Sequence, residues 1–273
     1  YFIYEAASDP SNPQRLMLMG DLRNAVDHDQ LFPHFQPKIC LHTGRVTGVE
    51  TLARWKHPER GPIPPDEFIP LAEKANIIGP LAMGILKKSM AQCQAWCRKG
   101  GNIPVAVNLS AKNLLDRTLV KKVGALLTEQ GMEPNLLEFE ITESALMEDP
   151  THALNILTAF RNMGIALYID DFGIGYSSLA YLKKLPINAI KIDRAFVMDM
   201  TKNSDSATIV RSTVALAHNL GLKVVAEGVE DKATLDELAA LGCDEAQGYH
   251  ISRPLPADGL DEWLAKASSR RTN

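Results

Sequence analysis

From Phe32 onward, short segments rich in β-branched and apolar residues alternate with stretches of helical periodicity. That alternation predicts βα units and a mostly parallel sheet covered by helices. Eight strands are expected: His34 to Cys40, Val46 to Ala53, Pro104 to Leu109, Leu136 to Ile141, Gly164 to Ile169, Asn188 to Ile192, Leu222 to Ala226 and Asp244 to Gly248. The last is weak in β propensity and rests on its place in the series. The turn His42-Thr43-Gly44-Arg45 lies between the first two, a hairpin length, so that pair is expected to be antiparallel.

The intervening helices carry end signals. Ser110 is placed to cap a helix with Leu115, Leu119 and Val123. Asp149-Pro150 opens one with Leu154, Leu157 and Phe160 that stops at Gly164, and Asp231 opens one with Leu235 and Leu238 that ends near Gly242. Upstream, the turn-rich Ser8-Asp9-Pro10-Ser11-Asn12-Pro13 precedes Leu18, Leu22, Ala25 and Val26 at helical spacing. Residues 1–30 therefore read as a connector and linking helix, or equally as an arbitrary start. Residues 31–268 read as one domain and 269–273 as a tail.

Length supports this division, because 273 residues suffice for one α/β barrel. Disorder is disfavoured by 45% hydrophobic content. With 29 basic against 33 acidic residues, no global positive field draws a nucleic-acid duplex or an anionic membrane. Cys40, Cys93, Cys97 and Cys243 are too few for a disulfide scaffold, and the spacing of Cys93 and Cys97 is one helical turn. A reducing compartment fits them. The longest nearly apolar run, Ile77 to Leu86, is shorter than the ~20 residues of a membrane span and contains Gly79, Pro80 and Gly84. The fragment reads as soluble, without a signal peptide.

In a closed βα barrel the carboxyl ends of the strands converge on one face. Those ends hold Glu50, Asn108, Glu140, Asp170 with Asp171, Lys191, Glu227 and Gln247. Each alone has a plain structural reading, such as a solvated strand-end charge, a helix cap or a turn. Together on one face, carboxylates in apolar strands would repel one another unless paired or neutralised by a cation. Oxygen donors without His or Cys favour Mg²⁺, Mn²⁺ or Ca²⁺ over Zn²⁺. Adjacent Asp170 and Asp171 suit a pair of ions, a known device for in-line attack at phosphorus. Gly173-Ile174-Gly175-Tyr176 with Ser177-Ser178-Leu179 reads as a loop entering a helix, able to touch a phosphate or order a lid. None of the histidines has metal-ligand spacing.

These residues resemble the EAL-domain phosphodiesterases that hydrolyse the bacterial second messenger cyclic di-GMP. The resemblance runs from about Phe35 to Pro256. It is carried by Gln36-Pro37, Glu50-Thr51-Leu52 with Arg54-Trp55, Pro65 through Glu73, Asn108-Leu109-Ser110, Glu140-Ile141-Thr142-Glu143, Asp170 through Leu179, Lys191-Ile192-Asp193, Glu227-Gly228-Val229-Glu230 and Gln247-Gly248-Tyr249. It implies a modified TIM (β/α)8 barrel with one antiparallel strand near the start. It also implies two Mg²⁺ or Mn²⁺ ions, with Ca²⁺ inhibitory. Glu50, Asn108, Glu140 and Asp170 match the ligands of one ion; Asp170 and Asp171 match those of the other, with Glu227 close by. Lys191 matches the lysine that positions or helps deprotonate the attacking water, supported by Gln247. Glu143 matches the glutamate holding the loop after Asp171. Arg54 matches a phosphate contact, and Gln36 and Leu52 fall at substrate-binding positions.

The departures are Thr51 in place of the name-giving Ala, and Ile174 where Thr is frequent. On strand alternation Thr51 points away from Glu50. The implied reaction yields linear pGpG. A non-hydrolysing cyclic di-GMP receptor is the alternative, and a barrel enzyme abstracting a proton with Lys191 is a more distant one. The resemblance further implies a homodimer formed near the loop after Asp171. It places the chain in the bacterial cytoplasm, following an upstream domain of diguanylate-cyclase type that would supply any membrane tether.

Overall fold

The computed structural model describes residues 13–28, 30–174 and 179–269. The turn-rich start through Asn12, Gly175 to Ser178 of the glycine loop and the last four residues of the tail lie outside them. Among the described residues, nine strands form one sheet: β1 (Leu31–Cys40), β2 (Val46–His57), β3 (Gly61–Ile63), β4 (Val105–Leu109), β5 (Leu137–Thr142), β6 (Ala166–Phe172), β7 (Ala189–Ile192), β8 (Lys223–Ala226) and β9 (Glu245–Ala246). Their order is β1-β9-β8-β7-β6-β5-β4-β2-β3, and pairing of β1 with β2 closes eight of them into a barrel. Strand β1 runs antiparallel to both neighbours, whereas β2 and β4 through β9 are parallel in succession.

All eight expected strands are present, with three differences. The hairpin strands are longer than expected because β1 starts at Leu31 and β2 continues to His57. There β2 pairs with β3, too short a segment to announce itself by periodicity. Of the last expected strand, only Glu245 and Ala246 form β9.

The helices follow their end signals, with one correction. Ser110 does cap a helix, forming a capping box with Asn113, but that helix, α4 (Ala111–Leu114), stops after four residues. Leu119 and Val123 belong to α5 (Leu119–Gln130), while Leu115 lies between the two and is 48% exposed. Asp116 accepts from the Thr118 backbone and from Lys122, so a local acidic turn interrupts the apolar pattern. Asp149 caps α7 (Pro150–Met163), which ends on left-handed Gly164, and Asp231 caps α11 (Lys232–Ala240).

Apolar residues on the outer barrel face pack under the helices; Phe139 of β5, for instance, lies 4.8 Å from Phe160 of α7 between ring centroids. A second cluster joins α1 (Pro13–Asp27), α2 (Pro65–Lys74) and α3 (Ile78–Arg98) to β2 through Leu18, Leu22, Trp55, Phe68, Leu81 and Ile85. Among the described residues, no helix is long and apolar enough to cross a membrane. The four cysteines are free thiols.

Two glycines make opposite demands. Gly84 lies within α3 with nothing within 4 Å of where a Cβ would stand, whereas a Cβ on Gly248 would meet the Val229 carbonyl oxygen at 2.1 Å. That close approach clasps the chain after β8 to the chain after β9, through Val229 donating to the Gln247 carbonyl and His250 donating to that of Val229. Gly84→Ala is expected to raise stability by up to about 1 kcal/mol in urea unfolding. Gly248→Ala is expected to lower it by about 3 kcal/mol. Thr51 is 3% exposed, and its Oγ1 is buried without a partner. Thr51→Val, which replaces that hydroxyl by a methyl of similar shape, is therefore expected to gain about 1 kcal/mol in the same measurement.

Candidate active site

The mouth of the barrel is set by where each strand stops. Asn108 of β4 stands opposite Glu140 of β5 in register, and Thr142 stands opposite Asp170 of β6. Because β1 runs the other way, Gln36 reaches the same level opposite Glu50. Lys191 is on β7, while Glu227 and Gln247 immediately follow β8 and β9. Their backbone nitrogens donate to the Ile192 and Ala226 carbonyls, which carries the ladder one residue beyond each strand.

Adjacent residues in a regular strand point to opposite faces. Here β6 departs from regularity where its register against β7 jumps between Ile169 and Phe172, with Asp170 and Asp171 in the interval. Asp171 has φ = 53°, a left-handed conformation uncommon outside glycine. Its backbone nitrogen donates to Asp170 Oδ1 at 3.0 Å. This bulge brings both acids to one site, and carboxylate oxygens of Asp170, Asp171 and Glu227 lie within 4.8 Å of one another.

At the centre is the Lys191 ammonium, fully buried, 2.7 Å from Glu140 Oε2, 3.1 Å from Asp170 Oδ1, 2.5 Å from Glu227 Oε1 and 3.8 Å from Glu50 Oε2. Burial alone would favour the neutral amine, but Asp170, Glu140, Glu227 and Glu50 outweigh it and hold the pKa well above its ordinary value. Lys191 is thus a charged donor in this arrangement. The carboxylates respond unequally. Burial pushes Glu140 up to about 7, reinforced by Glu50 and Asp170 and opposed by Lys191 and Lys38. Burial, with the charges of Asp170 and Asp193, raises Asp171 to about 6. Burial also raises Glu227 well above the usual carboxylate range. Glu50 goes the other way: burial would raise it, but Lys191 and the hydrogen bonds from Gln247 and Asn108 bring it below its ordinary value.

A chain of amides fixes the Glu50 side of the mouth. Gln36 Nε2 donates to the Ser252 carbonyl at 3.0 Å, Gln247 Nε2 donates to Gln36 Oε1 at 3.1 Å and to Glu50 Oε2, and Asn108 Nδ2 donates to Glu50 Oε1 at 2.9 Å. Gln36 is therefore engaged at both ends of its amide and stands behind Gln247. Glu143, 4% exposed, accepts from the Gly173 backbone nitrogen at 3.4 Å, a direct tie to the loop after Asp171. Half-buried Arg54 donates to its neighbour's carbonyl on Ala53. Leu52 lines a cavity of about 650 Å³ that also reaches Asp66, Asn108, Asp170 and Asp171.

The donor set fits a hard divalent cation. Glu50, Glu140, Asp170 and Glu227 face one ammonium, Asp171 lies beside Asp170 and Glu227, and every available donor is oxygen. The amide oxygen of Gln247 is buried without a partner in the same network.

Reading only strand ends misses the next layer down. Lys38, Glu138 and Tyr168 lie two residues from Gln36, Glu140 and Asp170, so strand alternation points them into the same interior. Lys38 Nζ is 2.5 Å from Glu138 Oε2 and 4.5 Å from the Tyr168 ring centroid, and Tyr168 Oη donates to Glu138 Oε1 at 3.2 Å. Period two within the strands already holding Gln36, Glu140 and Asp170 was the available signal.

Comparison with known proteins gives a consistent outcome. The family model described as EAL domain matches residues 19–254. "Bifunctional diguanylate cyclase/cyclic di-GMP phosphodiesterase MucR" of Pseudomonas aeruginosa is 42% identical over 95% of this chain and 38% of its own length. "Cyclic di-GMP phosphodiesterase PdeR" of Escherichia coli is 41% identical over 93% of this chain and 38% of its own length. The chain thus spans well under half the length of these curated relatives. A solved structure described as "PaMucR Phosphodiesterase, c-di-GMP complex" superposes with a TM-score of 0.87 at 44% identity, covering 89% of this chain and 99% of that one. Every strand-end position that carried the resemblance meets at one barrel mouth, and this chain belongs to the EAL-domain family.

Proposed function

We propose that this chain hydrolyses cyclic di-GMP to linear pGpG. The observation that carries the reading is the convergence of Glu50, Asn108, Glu140, Asp170, Asp171 and Glu227 around Lys191 at the barrel mouth. Relatives that match over more than nine-tenths of this chain are named cyclic di-GMP phosphodiesterases.

Glu50, Asn108, Glu140 and Asp170 would hold one divalent ion, and Asp170 and Asp171, with Glu227 close by, would hold a second. Magnesium or manganese is the proposed metal, with calcium inhibitory. When bound, the pair supplies Lewis-acid charge for in-line displacement by water at phosphorus. The chain's own residues set the geometry. Lys191, charged and held by three carboxylates within 3.1 Å, would turn one of its three N–H groups from a carboxylate to the attacking water and fix its direction. The amide chain through Gln247 and Gln36 keeps Glu50 in one orientation. Glu143 holds the loop that follows Asp171 through Gly173. Arg54, now donating to the Ala53 carbonyl, would turn its guanidinium to a phosphate of the substrate. Leu52 is the apolar contact at the cavity wall, and Gln36 acts on the substrate through Gln247.

A second copy of the chain is the proposed partner, meeting near the loop after Asp171; Ile174 and Leu179, beside that loop, are 61% and 59% exposed. A cytoplasmic location, with any membrane tether in upstream domains, completes the proposal.

Chromatography of reaction products tests the reading. Incubation with cyclic di-GMP and Mg²⁺ or Mn²⁺ is expected to yield pGpG, and chelation or Ca²⁺ is expected to stop it. Glu50→Ala is expected to reduce turnover by more than about 100-fold while unfolding remains cooperative. Tight binding of intact cyclic di-GMP without product would instead assign the chain as a receptor.

A further inference from the structure

The floor beneath the mouth carries a second buried ammonium. Lys38 enters from antiparallel β1 and is fully buried. Its partner in register is Gly48 of β2. From there the lysine stem crosses the barrel toward β5. There the ammonium meets Glu138 Oε2 at 2.5 Å and Glu140 Oε1 at 3.5 Å. The other oxygen of Glu140 belongs to Lys191, at 2.7 Å. Glu140 is thus gripped from above and below, one oxygen to each lysine, and is fully buried.

Lys38 is itself held. Glu138 is fixed at its far oxygen by Tyr168 Oη, and the Tyr168 ring lies under the ammonium. A buried ion pair is not a general route to stability, since well-packed apolar residues of similar volume do as well or better. Neutralising Glu138 alone also gives no account of the contact with Glu140. Charge from below does, because it keeps Glu140 oriented with one oxygen turned down and the other toward the mouth.

We propose that Lys38 is a positioning residue that holds Glu140 in the orientation needed to bind a divalent cation, with Glu138 and Tyr168 as its support. The inference rests on the metal-binding reading above. Mn²⁺ affinity measured on the protein without substrate, by calorimetry and by the Mn²⁺ resonance signal, separates the two. If the wild-type chain binds no Mn²⁺, the metal-binding reading falls and this inference with it.

Lys38→Met combined with Glu138→Gln removes both charges of the floor pair and leaves no orphaned ion. The double variant is expected to melt within a few degrees of wild type, bind Mn²⁺ at least 10-fold more weakly and recover turnover as Mn²⁺ is raised. Glu138→Gln alone, which keeps Lys38, is expected to bind Mn²⁺ within about threefold of wild type. Wild-type binding matched by the double variant within twofold would overturn the proposal, as would an equal loss in Glu138→Gln alone.

Discussion

Like charges gathered in a buried space govern this molecule. Glu50, Glu140 and Asp170 are buried together, Asp171 and Glu227 stand partly exposed beside them, and Lys191 supplies one positive charge among them. Coulomb repulsion at such separations is strong in a low-dielectric interior, and desolvation adds to it. The upward shifts of Glu140, Asp171 and Glu227 express that conflict. A barrel can sustain it because the ladder fixes each strand end and the outer face carries the apolar packing.

Local devices then convert proximity into a site. The irregularity in β6 turns two consecutive acids to one side, at the cost of a left-handed aspartate. The clasp between Gly248 and Val229 brings the segments bearing Glu227 and Gln247 together. The reversed first strand delivers Gln36 to the level of Glu50 and sends Lys38 to the floor, so one strand serves both layers. Each device acts on backbone geometry, and the chemistry of the mouth follows from it.

Much of this was legible beforehand because strand ends in a barrel are positions that sequence can mark. A carboxylate closing an apolar run, as in Ile165 to Asp170, is conspicuous, and the short gap between Cys40 and Val46 announced the reversed pair. The break between α4 and α5 was not legible, since Leu115 keeps the helical period while Asp116 and Thr118 close a turn. The isolated β3 is only three residues long and has no period to read. The Lys38 floor was hidden for a different reason. Charged residues inside a strand suggest solvent exposure, and only the two-residue offset from the mouth shows that they face inward.

On this reading the excess of negative charge at the barrel mouth takes divalent counter-charge. The most direct measurement is the melting temperature as a function of Mg²⁺ or Mn²⁺ at constant ionic strength. Binding to the folded chain alone at a concentration 100 times the dissociation constant stabilises by about 2.7 kcal/mol, so the melting temperature is expected to climb steadily with divalent concentration. A melting temperature that stays flat as divalent replaces monovalent salt at constant ionic strength would contradict it.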